Sequence, residues 1–395
     1  WKWYTSSIFK QNPKKIMNKE RAIKDTHDYL RKAVYRQMVS DVPVGAFLSG
    51  GLDSSAVVAF AREKNKNIHC FTIESNGHDK GDVDDLPYAR KVAKHLNVPL
   101  DVVKVNPKKI AGNIENMIKI LDEPIADPAA LNVLYISQLA RKNGIKVLLS
   151  GAGGDDLFTG YRRHNALMHE YLWSWLPLKV KSLISKTSLK ISQKSNFYRR
   201  LTKILKGIEF EGDDRIINYF TWNGTKDLEN LFTSDFKYLL KNSDASSTMK
   251  EHLKKIPEKV SKLDRMLSLE QQFFLADHNL VYTDRMSMAV GVEVRVPFLD
   301  RELVEFAYNV PDQYKQRGTE GKWVLKKALK SYLPNDIIYR PKTGFGVPLR
   351  RWMKNEMHEI LCDTLSFKNL NNRGLFDPKA VWKLIENNDK YRLYN

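Results

Sequence analysis

The sequence predicts an α/β protein built on a doubly wound parallel sheet, with a large helical insertion and a helical C-terminal part. Three observations predict this fold. Short apolar runs alternate with helix-periodic segments up to about residue 165, two of those runs end in glycine-rich loops, and strand signals fade after residue 165. The 395 residues are enough for two or three domains or for one large elaborated domain, and a hydrophobic content of 42% excludes a disordered chain.

Four apolar runs in the first part of the chain have the length and composition of buried strands. They cover 42–48, 68–73, 100–105 and 145–149. Helical spacing of apolar residues predicts helices at 20–39, 54–63, 86–96, 110–121 and 130–141. Strands and helices that alternate in this way form a parallel sheet, which binds ligands at the carboxyl ends of its strands.

The sequence pattern divides the chain into four segments. We expect a linker at 1–19, an α/β core at 20–165, a helical basic insertion at 166–270 and a helical part at 271–395. The chain starts at Trp1 rather than at Met, with no signal-peptide pattern after it. We therefore expect it to be cut from a longer protein.

Composition excludes several classes of protein. No apolar run approaches the roughly 20 residues of a membrane-spanning helix, so no transmembrane segment is predicted. Two cysteines, Cys70 and Cys362, are too few for a disulfide framework or a four-thiolate zinc site. The nine histidines lack the HxxxH and HExxH spacings of zinc sites. We interpret this composition as that of a cytoplasmic protein in a reducing compartment.

The chain is basic, with 65 Lys and Arg against 46 Asp and Glu and a formal charge of +19. From Lys179 to Lys206 there are nine basic residues and no acid. This charge suits a solvated basic surface, a nucleic acid, an anionic membrane surface or a phosphate-bearing substrate. The aromatic and apolar residues at 171–176 favour an insertion helix packed on the domain over a membrane-surface helix or a nucleic-acid groove.

The strongest motif is SGGLDSS at 49–55, between a predicted strand and a predicted helix. Its glycines let the backbone approach an anion, and the N–H groups at the helix start would point at that anion. A carboxylate such as Asp53 suits a phosphate site only if a divalent cation bridges the two. The alternative is an ordinary turn that caps a helix. The order of strand, loop and helix favours phosphate binding, and the loop matches neither a Walker A motif nor a nucleophile elbow.

A second loop, SGAGGDD at 150–156, repeats this order directly after the strand at 145–149. Asp53 and Asp155 would then lie at the carboxyl edge of one sheet, where they could hold Mg²⁺ on a polyphosphate. The alternative is a turn whose acids cap the next helix. The presence of the first loop favours the metal interpretation.

Five motifs in order carry a family resemblance. Beside the two loops, the chain has DRMSM at 284–288, RVPFLD at 295–300 and RPKTGFG at 340–346. SGGLDSS resembles the pyrophosphate loop of the ATP pyrophosphatases, whose fold is of the adenine nucleotide alpha hydrolase-like type. The set resembles the synthetase domain of glutamine-hydrolysing asparagine synthetases, and looks most like the asparagine-synthetase-like amidotransferases of bacterial surface-polysaccharide clusters. The resemblance runs from about residue 20 to the end and is weaker between 165 and 265.

The resemblance implies an enzyme that uses ATP and Mg²⁺, activates a carboxylate as acyl-AMP with release of pyrophosphate, and amidates it with ammonia. It implies a nucleotide site made of Phe47, Leu48, Ser49, Gly50, Gly51, Asp53, Ser54, Ile73, Ser150 and Gly151. Asp53 and Asp155 would hold the metal. Lys342 would act with Asp155 in the chemistry, because it matches the family lysine that neutralises phosphate charge as the acyl-adenylate forms.

Departures from the family pattern leave the acceptor open. The family's N-terminal glutaminase domain and its cysteine are missing, so residues 1–19 look like a remnant of the linker and ammonia would come from the absent domain. Ala152 stands where many asparagine synthetases have Glu, and 122–130 lacks the Thr- and Arg-bearing pattern associated with aspartate binding. The chain also stops before the apolar helix that ends its relatives. Aspartate and a sugar carboxylate therefore both stay open.

Two other functions are weighed against this one. A tRNA-modifying enzyme with the same ATP loop would suit the charge, but no CxxC pair is present, and 296–300 and 340–346 do not belong to those families. A non-catalytic protein at a membrane surface would use the aromatic and basic stretches, yet intact Asp53, Asp155 and Lys342 argue against lost chemistry. We therefore expect an AMP-forming carbon–nitrogen ligase without a nucleic-acid partner.

Overall fold

The computed structural model describes residues 17–75, 85–105, 112–188, 196–221, 224–341 and 349–391. These residues fall into two compact units. The first unit lies within Trp1–Asn165 and Leu267–Arg351, and the second within Ala166–Met266 and Trp352–Asn395. These two units are defined by compactness, whereas the four segments predicted above are defined by sequence pattern. The boundaries of the four segments therefore stay a prediction.

The first unit is built on a sheet of five parallel strands in the order β3-β2-β1-β4-β5. The strands are β1 (Val44–Phe47), β2 (His69–Ser75), β3 (Leu100–Val105), β4 (Val147–Leu149) and β5 (Glu293–Arg295). β1 and β4 are neighbours, with Ala46 paired to Leu149, and the strand order reverses between them. This confirms the doubly wound parallel α/β fold. Ligands of such sheets bind at this point of reversal, beyond the carboxyl ends of the strands.

β5 is the one strand of this sheet that the sequence did not predict. It has three residues, and Glu293 and Arg295 are charged, so it lacks the apolar run that marks a buried strand. Pairing with β4 at the edge of the sheet makes it a strand. Tertiary contact therefore decides its conformation rather than local propensity.

The helices are numbered in chain order. Those before residue 170 are α1 (Lys19–Gln37), α2 (Leu52–Lys64), α3 (Leu86–Leu96), α4 (Ile114–Ile120), α5 (Ala129–Lys142), α6 (Gly154–Phe158) and α7 (Arg162–Met168). Those between 178 and 254 are α8 (Leu178–Ser188), α9 (Asn196–Leu205), α10 (Gly212–Asn218), α11 (Thr225–Glu229), α12 (Ser234–Leu239) and α13 (Ser247–Lys254).

The later helices begin at residue 262. They are α14 (Lys262–Leu269), α15 (Val281–Met288), α16 (Arg301–Asn309), α17 (Asp312–Lys315), α18 (Trp323–Ala328), α19 (Asn335–Ile338), α20 (Leu349–Lys354), α21 (His358–Thr364), α22 (Phe367–Arg373) and α23 (Pro378–Tyr391). A π-helix occupies Glu270–Leu280, 3₁₀ turns occupy Glu170–Leu172 and Pro297–Leu299, and β6 (Gln316–Arg317) pairs with β7 (Glu320–Gly321).

Local signals explain where several helices of the first unit begin and end. α1 begins after Asn18, whose side chain accepts a hydrogen bond from the N–H of Arg21. α3 ends at Asn97, whose φ of 49° is the left-handed conformation that closes many helices. α16 begins after Asp300, whose carboxylate accepts from the N–H groups of the first turn.

α2 connects the core of the first unit to its ligand edge. Residues 54 to 61 of this helix are all buried, and Phe60 packs in one cluster with Leu30 of α1 and Phe298. Truncating a buried Phe of this kind costs about 3–5 kcal/mol of unfolding free energy. The first turn of α2, which carries Asp53, is therefore held in place by the core.

The second unit is helical, and a buried ion pair stabilises it. Glu170 accepts a 2.8 Å hydrogen bond from Nε of Arg215, whose other nitrogens donate to the carbonyls of Ile204 and Lys206. The aromatic stretch next to Glu170 does not pack as expected. Tyr171 and Trp175 are exposed, so the prediction of a packed insertion helix is wrong for these side chains. No helix in the described part of the chain is both long and apolar enough to cross a membrane.

Candidate functional site

The loop at 49–55 leaves the carboxyl end of β1 and enters α2, as predicted. Gly50 has a φ of +70°, and a Cβ there would lie 2.4 Å from the backbone nitrogen of Ala89, so only glycine fits. Gly51 is the N-cap of α2 and has no side chain to cap the helix. Oγ of Ser54 accepts from the N–H of Ser49 and lies 3.1 Å from Oγ of Ser49. Backbone N–H groups and hydroxyls are thus concentrated at a helix start, where anions bind.

The second loop packs directly on the first. A Cβ on Gly151 would lie 2.6 Å from the backbone nitrogen of Ser54. A Cβ on Gly154 would lie 2.6 Å from the carboxyl carbon of Asp53. The glycines of 150–156 therefore serve the contact between the loops, and Ser150 and Gly151 lie beside the predicted phosphate residues.

Two predicted nucleotide contacts, Phe47 and Ile73, lie on β1 and β2, and a third, Leu48, directly follows β1. Phe47 ends β1, and the N–H of Leu48 donates to the carbonyl of Phe71 in β2. Leu48 and Ile73 are buried in the sheet. Their position next to the loop is compatible with the adenosine role, which stays a prediction.

Asp53 and Asp155 converge on one lysine, Lys322. Its Nζ lies 2.5 Å from Oδ2 of Asp53 and 2.5 Å from Oδ1 of Asp155. Because both oxygens contact the same nitrogen, they lie no more than about 5 Å apart, well inside the roughly 12 Å that one metal cluster could span. The two acids predicted from separate loops therefore meet at one point, and a cation lies between them.

The electrostatics of this cluster keep the lysine charged. The side chains of Lys322, Asp53 and Asp155 are only 10%, 16% and 20% exposed. Burial by itself lowers the pKa of Lys322, but the negative charges of Asp155 and Asp53 outweigh burial and raise that pKa above its usual range. Lys322 is therefore a cation at neutral pH and not a general base.

The donor set fits a magnesium ion that phosphate oxygens would share. Two carboxylates with one lysine leave a net negative charge, and carboxylate oxygens are the ligands that Mg²⁺ prefers. No group of three or more His, Cys, Asp or Glu side chains arranged for a metal is found among the described residues. A Mg²⁺ held by one or two carboxylates usually completes its coordination with water and substrate phosphates. Asp53 and Asp155 suit that arrangement.

The backbone that carries Lys322 is strained. Lys322 has a φ of 56°, and Thr159, to whose Oγ1 its N–H donates at 3.2 Å, has a φ of 66°. Asn97 is the only other non-glycine residue with positive φ in the described ranges. Such conformations cost about 1–3 kcal/mol each and persist where the surroundings impose them, which is common at functional sites.

The Asparagine synthase family model matches residues 25–394. This chain belongs to the asparagine synthase family. Asparagine synthetase [glutamine-hydrolyzing] 1 of Bacillus subtilis (strain 168) is 29% identical over 361 residues, which cover 89% of this chain and 54% of that protein. A putative asparagine synthetase [glutamine-hydrolyzing] of Mycobacterium bovis is 28% identical over 364 residues, with coverages of 90% and 53%.

A third relative carries a different name. Amidase chyE of Penicillium rubens is 25% identical over 397 residues, which cover 93% of this chain and 59% of that protein. The chain spans about half the length of the curated relatives that it matches.

The predicted lysine of this asparagine synthase family member, Lys342, lies outside the described residues. The lysine that the structure places at the acids is Lys322, which the sequence analysis did not single out. Its local pattern, Gly321 and Lys322 before an apolar helix, is common, and the chain has 65 basic residues. Only the fold shows which lysine reaches Asp53.

The motif at 340–346 begins at the first loop. Nη1 of Arg340 donates to the carbonyl of Ser49 at 3.2 Å, and Nη2 bonds to Asp85. The guanidinium also lies 4.1 Å from the ring centroid of Tyr88. Arg340 therefore attaches the start of this motif to the predicted phosphate loop.

A buried network holds the turn that follows Asp155. Nδ1 of His164 accepts hydrogen bonds from the N–H groups of Gly160 and Tyr161, at 3.1 and 3.3 Å. Nε2 must then carry the proton, and it donates to Oε1 of Glu270 at 3.0 Å. Arg163 forms a two-pronged ion pair with the same carboxylate. Burial raises the pKa of Glu270, but its bonds to Arg163 and His164 outweigh burial and lower it.

Proposed function

We propose that this chain is the synthetase part of an ATP-dependent amidotransferase of the AMP-forming carbon–nitrogen ligase class. It activates a carboxylate as an acyl-adenylate, releases pyrophosphate, and transfers ammonia to the acyl carbon. The observation that supports this proposal is the cluster of Asp53, Lys322 and Asp155 beyond the carboxyl ends of β1 and β4. Membership of the asparagine synthase family supports the same reaction class.

The first loop would bind the phosphates of ATP. Ser49, Gly50, Gly51 and Ser54 supply backbone N–H groups and hydroxyls at the start of α2, next to the positive end of the helix dipole. Ser150 and Gly151 would contact the AMP portion from the second loop, and Phe47, Leu48 and Ile73 would flank the adenosine. Asp53 and Asp155 would hold Mg²⁺, which neutralises phosphate charge when bound.

Lys322 would stabilise the charge that develops in the first step. An oxygen of the acceptor carboxylate attacks the α-phosphorus of ATP, the bond from that phosphorus to the bridging oxygen breaks, and pyrophosphate leaves with the electron pair. A fixed cation is most effective where negative charge grows in a buried site. The charge of Lys322 is secured by its two acids, and Lys342 is proposed to add a second cation.

Ammonia completes the reaction. Its lone pair attacks the acyl carbon of the adenylate, a carbon–nitrogen bond forms, AMP leaves, and the extra proton goes to solvent. In the whole protein we propose that ammonia comes from glutamine through an N-terminal glutaminase domain, and that the enzyme works in the cytoplasm.

The proposed acceptor is a sugar carboxylate rather than aspartate. A buried aspartate substrate needs a cation for its α-carboxylate. Arg163 is held by Glu270, and Arg295 is held by Glu293 and by the carbonyls of Gln37 and Val39. Both of these arginines are therefore already engaged by protein groups, which argues against their pairing with the α-carboxylate of aspartate. In the second loop, the uncharged Ala152 stands two positions after Ser150, where many asparagine synthetases have Glu.

The test is a pyrophosphate-release assay with ATP, ammonium and a panel of acids: aspartate, glutamate, a free uronic acid and a nucleotide-linked uronic acid. We expect AMP and pyrophosphate in equal amounts, and only with an acceptor carboxylate. Formation of ADP and phosphate would contradict the acyl-adenylate, and pyrophosphate release that depends on tRNA would favour the tRNA-modifying class. Robust asparagine formation at millimolar aspartate would overturn the sugar acceptor alone.

A further inference from the structure

Helix α8 of the second unit buries three polar residues and exposes large apolar ones. Lys181, Ser185 and Ser188 are buried, while Leu178 and Leu183 are 57% and 63% exposed. A surface helix normally places its apolar stripe on the core and its polar face in water. The arrangement in α8 leaves the side chains of Leu178 and Leu183 in contact with water.

The segment directly before α8 also exposes large apolar side chains. Tyr171, Leu172 and Trp175 are 66%, 54% and 75% exposed. We call the six exposed apolar side chains of 171–183 the apolar patch: Tyr171, Leu172, Trp175, Leu178, Val180 and Leu183. Single exposed apolar residues need no explanation, but several on one short segment mark an interaction surface.

The charge around the apolar patch is positive. Lys179 and Lys186 of α8 are exposed, and α8 itself contains no acidic residue. The acids that meet α8 meet its buried face, where Glu211 pairs with Lys181 at 3.0 Å and Glu209 accepts from Ser185. The exposed face of α8 therefore presents lysines without acids of its own helix.

We propose that the apolar patch binds the surface of an anionic lipid bilayer. Trp and Tyr favour the headgroup level of a membrane, leucines favour the acyl region below it, and lysines attract anionic headgroups. Residues 171–186 expose all three of these kinds of residue. In this mode α8 lies along the membrane surface rather than across it.

Two other occupants fit the patch less well. Nucleic-acid grooves use aromatic side chains on which bases stack, whereas Leu172, Leu178 and Leu183 are aliphatic. A second copy of the chain would bring two basic faces together, and like charges in contact oppose association. An anionic bilayer complements both the apolar and the basic character of the surface.

The first experiment is flotation of the full chain with phosphatidylcholine vesicles, with and without phosphatidylglycerol. We expect binding to the anionic vesicles only. The triple variant Trp175→Ser/Leu178→Ser/Leu183→Ser should lower the partition coefficient on the order of a hundredfold, because three apolar side chains no longer leave water. The matched control is Tyr238→Ser/Leu239→Ser, at side chains 78% and 74% exposed elsewhere in the second unit, which should bind like wild type.

The second experiment separates charge from apolar contact. Lys179→Gln/Lys186→Gln should lower binding about thirtyfold, since each lysine near an anionic surface contributes about a fivefold factor. The control Lys237→Gln/Lys241→Gln should change it little, and added salt should weaken wild-type binding. Circular dichroism and thermal melting show whether each variant is folded. If the triple variant is unfolded, vesicle binding is measured with the single variant Trp175→Ser instead.

Four outcomes would overturn the proposal. Equal binding of the chain to neutral and anionic vesicles would show that the lipid charge is not recognised. An equal loss of vesicle binding in the patch and control variants would show that the patch is not the binding surface. Binding of single-stranded RNA that Trp175→Ser abolishes, without vesicle binding, would assign the patch to nucleic acid. A concentration-dependent dimer that the same variant dissociates, again without vesicle binding, would assign it to a second copy.

Discussion

A Cβ on Gly160 would lie 1.6 Å from Oδ1 of Asp155 and 2.6 Å from Cε of Lys322. The absence of a side chain at Gly160 is therefore what lets the acid and the lysine approach each other. The N–H of Gly160 donates a hydrogen bond to His164. This bond holds the backbone of Gly160 in place beside Asp155 and Lys322.

Gly160→Ala tests this packing. The methyl group must displace Asp155 or Lys322, and a displacement of about 1 Å in a catalytic site can cost about a hundredfold in rate. We expect kcat/KM for pyrophosphate release to fall by about that factor or more. The control is Gly318→Ala, where a Cβ would meet nothing within 4 Å and only the positive φ is strained. Similar activity of Gly160→Ala and wild type would contradict the assigned packing.

Lys322→Met should lower kcat much more than ATP affinity. Removing one group that stabilises developing charge costs about 10²–10³ in kcat, while the loop at 49–55 still binds phosphates. The measurements are pyrophosphate release and equilibrium ATP binding. Lys330→Ala, at an exposed lysine, is the control. A variant that loses ATP binding and turnover equally would show that Lys322 serves binding instead.

Lys342→Ala is predicted to abolish pyrophosphate release while ATP binding is largely retained. The reason is that a cation at the breaking bond matters most in the transition state, which lowers kcat more than affinity. The same two assays as for Lys322 measure it. Wild-type turnover in Lys342→Ala would leave Lys322 as the only lysine assigned to the chemistry.

Much of the site was predictable from sequence, because the loops after β1 and β4 have local signatures. Strand, glycine-rich turn and helix occur within a few residues of each other, so Asp53 and Asp155 could be placed at one edge. Lys322 could not be found in this way, because it reaches the acids through a backbone conformation imposed by Thr159 and by packing of α18. The charged β5 and the buried polar residues of α8 were missed for a similar reason, since contacts distant in sequence override the local pattern there.

Glu270→Gln should destabilise the protein in a pH-dependent manner. The pKa of Glu270 is lowered in the folded state. Its ion pair therefore stabilises the protein fully at any pH above the ordinary pKa of a carboxyl group, and this stabilisation is lost as the pH falls through the lowered pKa. Removing one partner of a buried pair costs about 3–5 kcal/mol. We expect a deficit of that size by urea unfolding at neutral pH, and a smaller one below about pH 4.

The surface variant Glu305→Gln provides the control for Glu270. Its pair with Arg301 is exposed, and such a pair contributes no more than about 0.5 kcal/mol. A deficit for Glu270→Gln that stays constant from neutral to acid pH would contradict the lowered pKa.

Ammonium, and not glutamine, should support amide formation by this chain. Burial raises the pKa of Cys70 to about 12, so its thiol is not a nucleophile at neutral pH. Ammonium at mildly alkaline pH supplies free NH₃. The amide product is measured with each nitrogen source, and Cys362→Ser shows whether the other cysteine takes part. Glutamine-dependent product from the purified chain would refute this prediction.

The distance along the chain between Asp53 and Lys322 has a consequence for synthesis. The two residues are 269 positions apart, so at about 5–20 residues per second the ribosome adds the lysine about 13 to 54 seconds after the first acid. Until then Asp53 and Asp155 repel each other without a cation between them. The charge cluster of the first unit can therefore form only after Lys322, the residue that precedes α18, has been synthesised.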